Sequence, residues 1–280
     1  MKTIGFIDFF IDEWHANTYP GLIKNYNEKF GTDYQVKYAW AEIDGKNGLR
    51  TTEKWCEDFG AQKCESIKEL CEKADYVVVL APSNPEKHLG YAKEVFACGQ
   101  SPYIDKTFAP DYATAKEIFD LANKNNVKFF SSSALRYADE IANRDAYSTA
   151  VVTFGGGSNL PEYIIHQIEM AVKCMGIGAK KIKYTKASDQ EFIDVYYDDN
   201  KCFKMVYSSW MPFVCVSTNQ DGKSEFRNIN SNFFDNLIAD IIRFFETGEV
   251  SFDVNQTLEI AKIREGAIKS TSMEGVWINL

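Results

Sequence analysis

Histidine is scarce in this 280-residue chain, which has three, and its seven cysteines are odd in number and never spaced as C-x-x-C. A disulfide framework and a zinc site are disfavoured by that pattern, and the thiols read as reduced packing residues of a cytoplasmic protein. Basic clusters are missing too. Lys and Arg number 31 against 40 Asp and Glu, a net charge of −9. Nucleic acid and anionic membrane need the opposite sign, so neither is an expected partner. No apolar run is long enough to cross a bilayer, and the opening MKTIGFIDFF is too short and too acidic for a signal peptide. Internal repeats and low-complexity segments are also absent.

What remains is the composition of a globular protein, 45% hydrophobic and 25% charged, long enough for two cores. Strand-like TIGFID (3–8), YQVKYAWAEID (34–44), the apolar run of residues 76–80 and VKFFSSS (127–133) alternate with helical patterns. A helix is expected to begin or kink near Tyr19, where Pro20-Gly21 follows. Another covers Thr51–Phe59. A third starts at Ser66, with Glu69 three residues on as a capping box. Asn84 is placed to cap a fourth, with Pro85 in its first turn and Gly99 just past its end. Alternation of this kind predicts a doubly wound parallel sheet over 1–133.

The rhythm changes after Ser133. A helix is expected over 134–147, then a strand ending in three glycines and the helix PEYIIHQIEMAVKCM from Pro161. Five strand-like runs between 180 and 229 and two closing helices, 232–247 and 255–270, follow. This half predicts an α+β domain, 134–280, with an open, mostly antiparallel sheet and helices on one face.

Within the first half, a short strand ends at Ile104 and Asp105-Lys106-Thr107 comes at once. Ligands of open α/β sheets gather beyond the carboxyl ends of the strands. A lysine there is a compact cation that can hold a hydroxyl or share its proton. In the helix from Pro161, Ile164, Ile165, Ile168, Ala171, Val172 and Met175 make the apolar face, with Glu162, His166 and Lys173 on the other side.

In order, these pieces resemble the glucose–fructose oxidoreductase, inositol dehydrogenase and MocA family. The resemblance is carried by ADYVVVLAPSNPEKHLGYAKEVFACG (74–99), YIDKTFAPDYATAKEIFDLA (103–122), SALRYADE (133–140), EYIIHQIEM (162–170), FFDNLIADIIRFFETGE (233–249) and IKSTSMEGVWINL (268–280). It implies a Rossmann domain followed by an open-sheet domain, and NAD or NADP chemistry on a sugar, polyol or similar small molecule. Carried over, Lys106 holds the reacting hydroxyl and His166 is the general acid or base, with Glu162 in place of the family's aspartate. Phe9, Phe10, Ile11, Glu42, Pro82, Ser83, Asn84, His88 and Asp105 fall at cofactor-binding positions, and Arg136 and Tyr137 at substrate positions. The aromatic-rich strands of the second half suit a homo-oligomer face.

At one place the pattern breaks. The family's G-x-G-x-x-G lets a helix amino terminus approach the pyrophosphate, and here its glycine positions hold Asp8, Phe10 and Glu13. Asp8, Asp12 and Glu13 put negative charge where two phosphates would sit. Two expectations follow. Either this is a dehydrogenase with an unusual cofactor loop, or the fold is kept without dinucleotide binding, as a non-redox enzyme or binding protein using loop 8–15. Asp8, Asp12, Glu13 and His15 are also oxygen and imidazole donors for a divalent cation, but a self-satisfied hydrogen-bonded loop explains them better, and no metal is expected.

Overall fold

The computed structural model describes residues 1–143, 148–198 and 201–280. They group into two compact units. The first comprises residues 1–109, 113–131 and 237–251, and the second 110–112, 132–236 and 252–280.

The first unit is built on five parallel strands: β1 (Lys2–Asp8), β2 (Tyr34–Ala41), β3 (Gln62–Lys63), β4 (Tyr76–Val79) and β5 (Tyr103–Ile104). They lie in the order β3-β2-β1-β4-β5. Ile4, Phe6, Ile7, Val77, Val78 and Val79 are buried, as strands covered on both faces require. The covering helices are α1 (Trp14–Phe30), α2 (Thr52–Phe59), α3 (Ile67–Lys73), α4 (His88–Ala97) and α5 (Tyr112–Asn125). Ser66 caps α3, its hydroxyl accepting from Glu69 N at 3.1 Å.

Three expectations are corrected. A helix start near Tyr19 is overturned: α1 starts at Trp14, where the Glu13 side chain caps its first amides, and runs through Pro20. Residues 127–133 form no strand, only an isolated parallel bridge from Phe130 to Tyr103. Asn84 does not cap α4. A 3-10 turn, Pro85–Lys87, intervenes, and the Asn84 amide donates to Glu86 at 3.0 Å.

The second unit carries β6 (Ala150–Gly155), α6 (Leu160–Met175), β7 (Ala179–Ala187), β8 (Gln190–Tyr197), β9 (Cys202–Tyr207), β10 (Val214–Thr218), β11 (Ser224–Asn228), the first turn of α7 (Phe233–Thr247), α8 (Asn255–Ser270) and β12 (Ile278–Asn279). Most of α7 packs with the first unit. The seven strands run in the order β11-β10-β6-β9-β8-β7-β12, antiparallel except between β6 and β9. One face buries Val151, Ile182, Ile193, Val195, Phe203 and Met205 against Ile164, Ile168, Ala171 and Val172 of α6 and Ile263 and Ala267 of α8. The expected helix over 134–147 is instead two 3-10 turns, Ala134–Tyr137 and Asp139–Ile141, and its last four residues lie outside those described. Lys173 is buried rather than on an open polar side.

Candidate cofactor and active site

In the first unit, chemistry-bearing side chains collect at the carboxyl ends of β1, β4 and β5. Asp8 ends β1 and is 1% exposed. Its Oδ1 accepts from Phe9 N at 2.7 Å and from Ala81 N at 3.1 Å. Its Oδ2 is buried without a partner among the described residues. Burial above all, then the charge of Glu13, push the Asp8 carboxyl well above the usual carboxylate range, and the two N–H bonds oppose this only in part.

Five residues on, Glu13 is the N-cap of α1. Its Oε2 accepts from His15 N at 2.8 Å and its Oε1 from Ala16 N at 2.5 Å. A helix amino terminus favours an anion through its unpaired N–H groups and dipole. Here the anion is the chain's own. Burial raises the Glu13 carboxyl, against the lowering effect of His15 and the two amides.

His15 then turns inward. Its Nδ1 pairs with Asp105 Oδ2, and its ring stacks on Tyr19 with centroids 5.2 Å apart. Asp105, buried just past β5, also accepts from Tyr103 OH at 3.1 Å and from Lys106 N at 2.8 Å. Burial pushes Asp105 up, but His15 and then Lys106 more than offset it, so its carboxyl lies below the ordinary range. Tyr19 is pushed well up by burial, then by Asp105 and Glu13. Lys106 follows at the strand end, half-buried.

The remaining expected cofactor residues divide. Glu42, beyond β2, is spoken for: its Oε1 accepts from Lys87 Nζ at 2.5 Å and its Oε2 from Tyr91 OH at 2.7 Å. The Lys87 ammonium also sits 4.7 Å from the centre of the Phe9 ring. Phe9 and Phe10 are half-buried and meet edge to face, and Ile11 is fully buried. Pro82 is buried, while Ser83 and Asn84 reach solvent to different degrees. His88 is wholly buried, its ring nitrogens 2.9 Å from Phe108 O and 2.5 Å from Leu80 O. It ties two strand ends together and offers no ring atom to a ligand.

These contacts bear on whether a dinucleotide fits. The usual seat needs free amides at the start of α1 and a free acid beyond the second strand for ribose hydroxyls. In the arrangement seen, Glu13 holds two amides and Lys87 and Tyr91 hold Glu42. Pyrophosphate does not fit there. Among the described residues, no group of three or more His, Cys, Asp or Glu is arranged to hold a metal ion.

In the second unit, α6 begins at the cap residue Asn159, whose Oδ1 accepts from Glu162 N at 2.9 Å while its amide donates to Glu162 Oε2 at 3.1 Å. Glu162 is therefore engaged at the helix start, one turn before His166. His166 is half-buried, its Nδ1 2.7 Å from Ser133 Oγ, with Phe213 edge-on at 5.7 Å between centroids. Tyr137 is near this turn, its OH 3.3 Å from Ser132 Oγ. Arg136, expected at a substrate position, is 2% exposed. Its Nε pairs with Glu169 of α6, and its guanidinium lies 4.0 Å from the centre of the Phe252 ring. Glu169 also accepts from Ser133 N at 3.2 Å. Arg136 thus fixes the Ser133–Tyr137 turn on α6 and positions the partner of His166.

Sequence reasoning missed His15, Tyr19 and Tyr103 around Asp105, Lys87 and Tyr91 around Glu42, and Ser133 beside His166. Separations of up to 90 residues hide such pairs.

Residues 43–133 match the model of the GFO_IDH_MocA family, described as an oxidoreductase family with an NAD-binding Rossmann fold. No curated protein matches the sequence. Solved structures match over the whole chain. A probable dehydrogenase from Thermotoga maritima is 12% identical, with 99% of this chain and 98% of that one covered and a TM-score of 0.77. GenD2 from gentamicin A biosynthesis, in complex with NAD, is 12% identical, covering 100% and 97% with a TM-score of 0.76. A myo-inositol dehydrogenase from Corynebacterium glutamicum is 12% identical, covering 100% and 98% with a TM-score of 0.75. At such identities these likenesses establish the fold.

Proposed function

We propose, from the premise that residues 43–133 match the model of the GFO_IDH_MocA oxidoreductase family, that this protein oxidises a hydroxyl-bearing carbon of a sugar, polyol or related small molecule to the carbonyl, or reduces that carbonyl back to the alcohol, with NAD or NADP. The observation that carries this reading is Lys106. It stands directly after the buried Asp105, at the carboxyl end of a strand in a parallel sheet, where ligands of such sheets bind. Lys106 holds the reacting hydroxyl. His166, seated on Ser133, exchanges its proton, since a histidine titrates near neutrality and suits that transfer. Glu162 and Tyr137 support that proton-transfer group and the substrate, and Asp105 orients the loop that carries Lys106. Structural relatives named as myo-inositol dehydrogenase and as an NAD complex support the substrate class and the cofactor.

A second reading has its own observation. The Glu13 cap and the Glu42 pairs favour a protein that keeps the fold and has given up dinucleotide binding, acting as a non-redox enzyme or binding protein through loop 8–15. A panel of sugars and polyols with millimolar NAD or NADP separates the two. Reduced nicotinamide is expected with some of them, falling by roughly two to four orders of magnitude in Lys106→Ala and in His166→Ala. Both variants should fold, since neither residue is in a core. Near-normal turnover in either variant removes that residue from the mechanism, and no turnover by any pair favours the second reading.

A further inference from the structure

We propose that the dinucleotide seat of the first unit is closed by its own side chains, with the Glu13 carboxylate lying on the α1 amides as an internal stand-in for pyrophosphate and Glu42 locked to Lys87 and Tyr91. The inference rests on the reading above that a dinucleotide is the cofactor, and concerns how that site is regulated.

Three places that a dinucleotide uses in this fold are each filled from within. The first is the start of α1, where His15 N and Ala16 N donate to Glu13 at 2.8 and 2.5 Å. Phosphate groups seek those N–H groups because they lack helical partners. A carboxylate already bonded to both must be displaced before a phosphate can enter. The second is the acid that would take ribose hydroxyls, Glu42. Both of its oxygens are engaged, by Lys87 and Tyr91. The third is a cation beyond the second strand that could take a 2′-phosphate. Arg50 stands in that region, and it bonds Asp12 at 2.6 Å and Asp58 at 3.2 Å. Asp12 is held in turn by Asn17, whose amide donates to it at 2.9 Å.

Charge in the loop points the same way. Asp8, with one oxygen buried and unpartnered among the described residues, lies close enough to Glu13 to feel its charge. A polyanion entering beside these acids meets repulsion wherever they are ionised. The ligand sees only the fraction of molecules in which Glu13 has swung away, and its apparent affinity falls by that fraction.

Calorimetric titration of the wild-type protein and of Glu13→Gly tests the closure, with inorganic pyrophosphate and NAD as separate probes. Glycine is an acceptable N-cap, so α1 should persist. Glu13→Ser, which caps with one short hydroxyl, is the second variant should glycine loosen the fold. Both probes should bind the variants about tenfold or more tightly than the wild type. Wild-type affinity equal to that of both variants, or no gain in either folded variant, overturns the proposal. Failure of the proposed function looks different: variants that gain NAD affinity yet turn over no sugar or polyol would leave the closure standing and remove the dehydrogenase reading. Tight NAD binding and turnover by the wild type, unchanged in the variants, would do the reverse.

Discussion

Asp8 ends β1 with one carboxyl oxygen bonded to two backbone N–H groups and the other buried without a partner among the described residues. An acid whose folded pKa is raised binds more protons folded than unfolded. Its contribution is fully present below the unfolded value and is lost as pH rises towards the folded one. Burial, then Glu13, raise Asp8, and burial raises Glu13 in the same direction. Stability should therefore fall as pH climbs through and above the ordinary carboxylate range of about 4. Asp8→Asn should be at least as stable as wild type above that range, and its fall should be shallower, with Glu13 leaving a residual slope. Urea unfolding of both proteins through and above the range checks this. Identical pH dependence would mean that Asp8 is ionised in the folded protein at little cost. The sequence placed the acids of this loop correctly as crowded, but not where each one points. Glutamate is an uncommon N-cap, so nothing in the order Asp12-Glu13-Trp14 announced that α1 begins there.

At the scale of elements, the sequence was informative wherever burial alone sets structure. The run of residues 76–80 and the alternation of 191–197 became β4 and β8 because apolar side chains had one or two faces to cover. It misled where tertiary contacts decide. Residues 127–133 look like a strand, yet only Phe130 bridges to the sheet. Arg136 was expected at a substrate position because SALRYADE (133–140) resembles the family's Arg-aromatic step. Its burial against Glu169 and Phe252 is a long-range fact. Removing one member of a buried ion pair leaves the other uncompensated, which costs about 3–5 kcal/mol. Arg136→Ala should destabilise the protein by roughly that amount in urea unfolding, through loss of the tie between the Ser133–Tyr137 turn and α6. A loss of less than about 1 kcal/mol would show that Glu169 finds other partners or takes a proton.

For the whole molecule, the family match covers 43–133 and the fold match the entire chain. Among the described residues no helix is long and apolar enough to cross a membrane. The face of the second sheet opposite α6 and α8 aligns Phe226, Val216 and Val152 with Lys204, Asp194 and Lys183 across six strands. Phe226 is 70% exposed there. Apolar residues beside charges of alternating sign can meet a second copy of themselves, and we propose that this face pairs two chains. Light scattering should give at least twice the mass of one chain, and Phe226→Glu with Val216→Glu should return it to one. A single-chain mass for the wild type at high concentration would contradict this.

The central claim, that Lys106 acts on a substrate hydroxyl beside a dinucleotide seat closed by Glu13, meets its most direct test in the Glu13→Gly protein with NAD bound to saturation. The measurement is the formation of reduced nicotinamide across a panel of sugars and polyols, with the Glu13→Gly, Lys106→Ala double variant alongside. Turnover by the single variant, faster than wild type at the same NAD concentration and lost in the double variant, is the predicted result. Saturated NAD with no reduction by any compound, or turnover that Lys106→Ala leaves intact, would contradict the account.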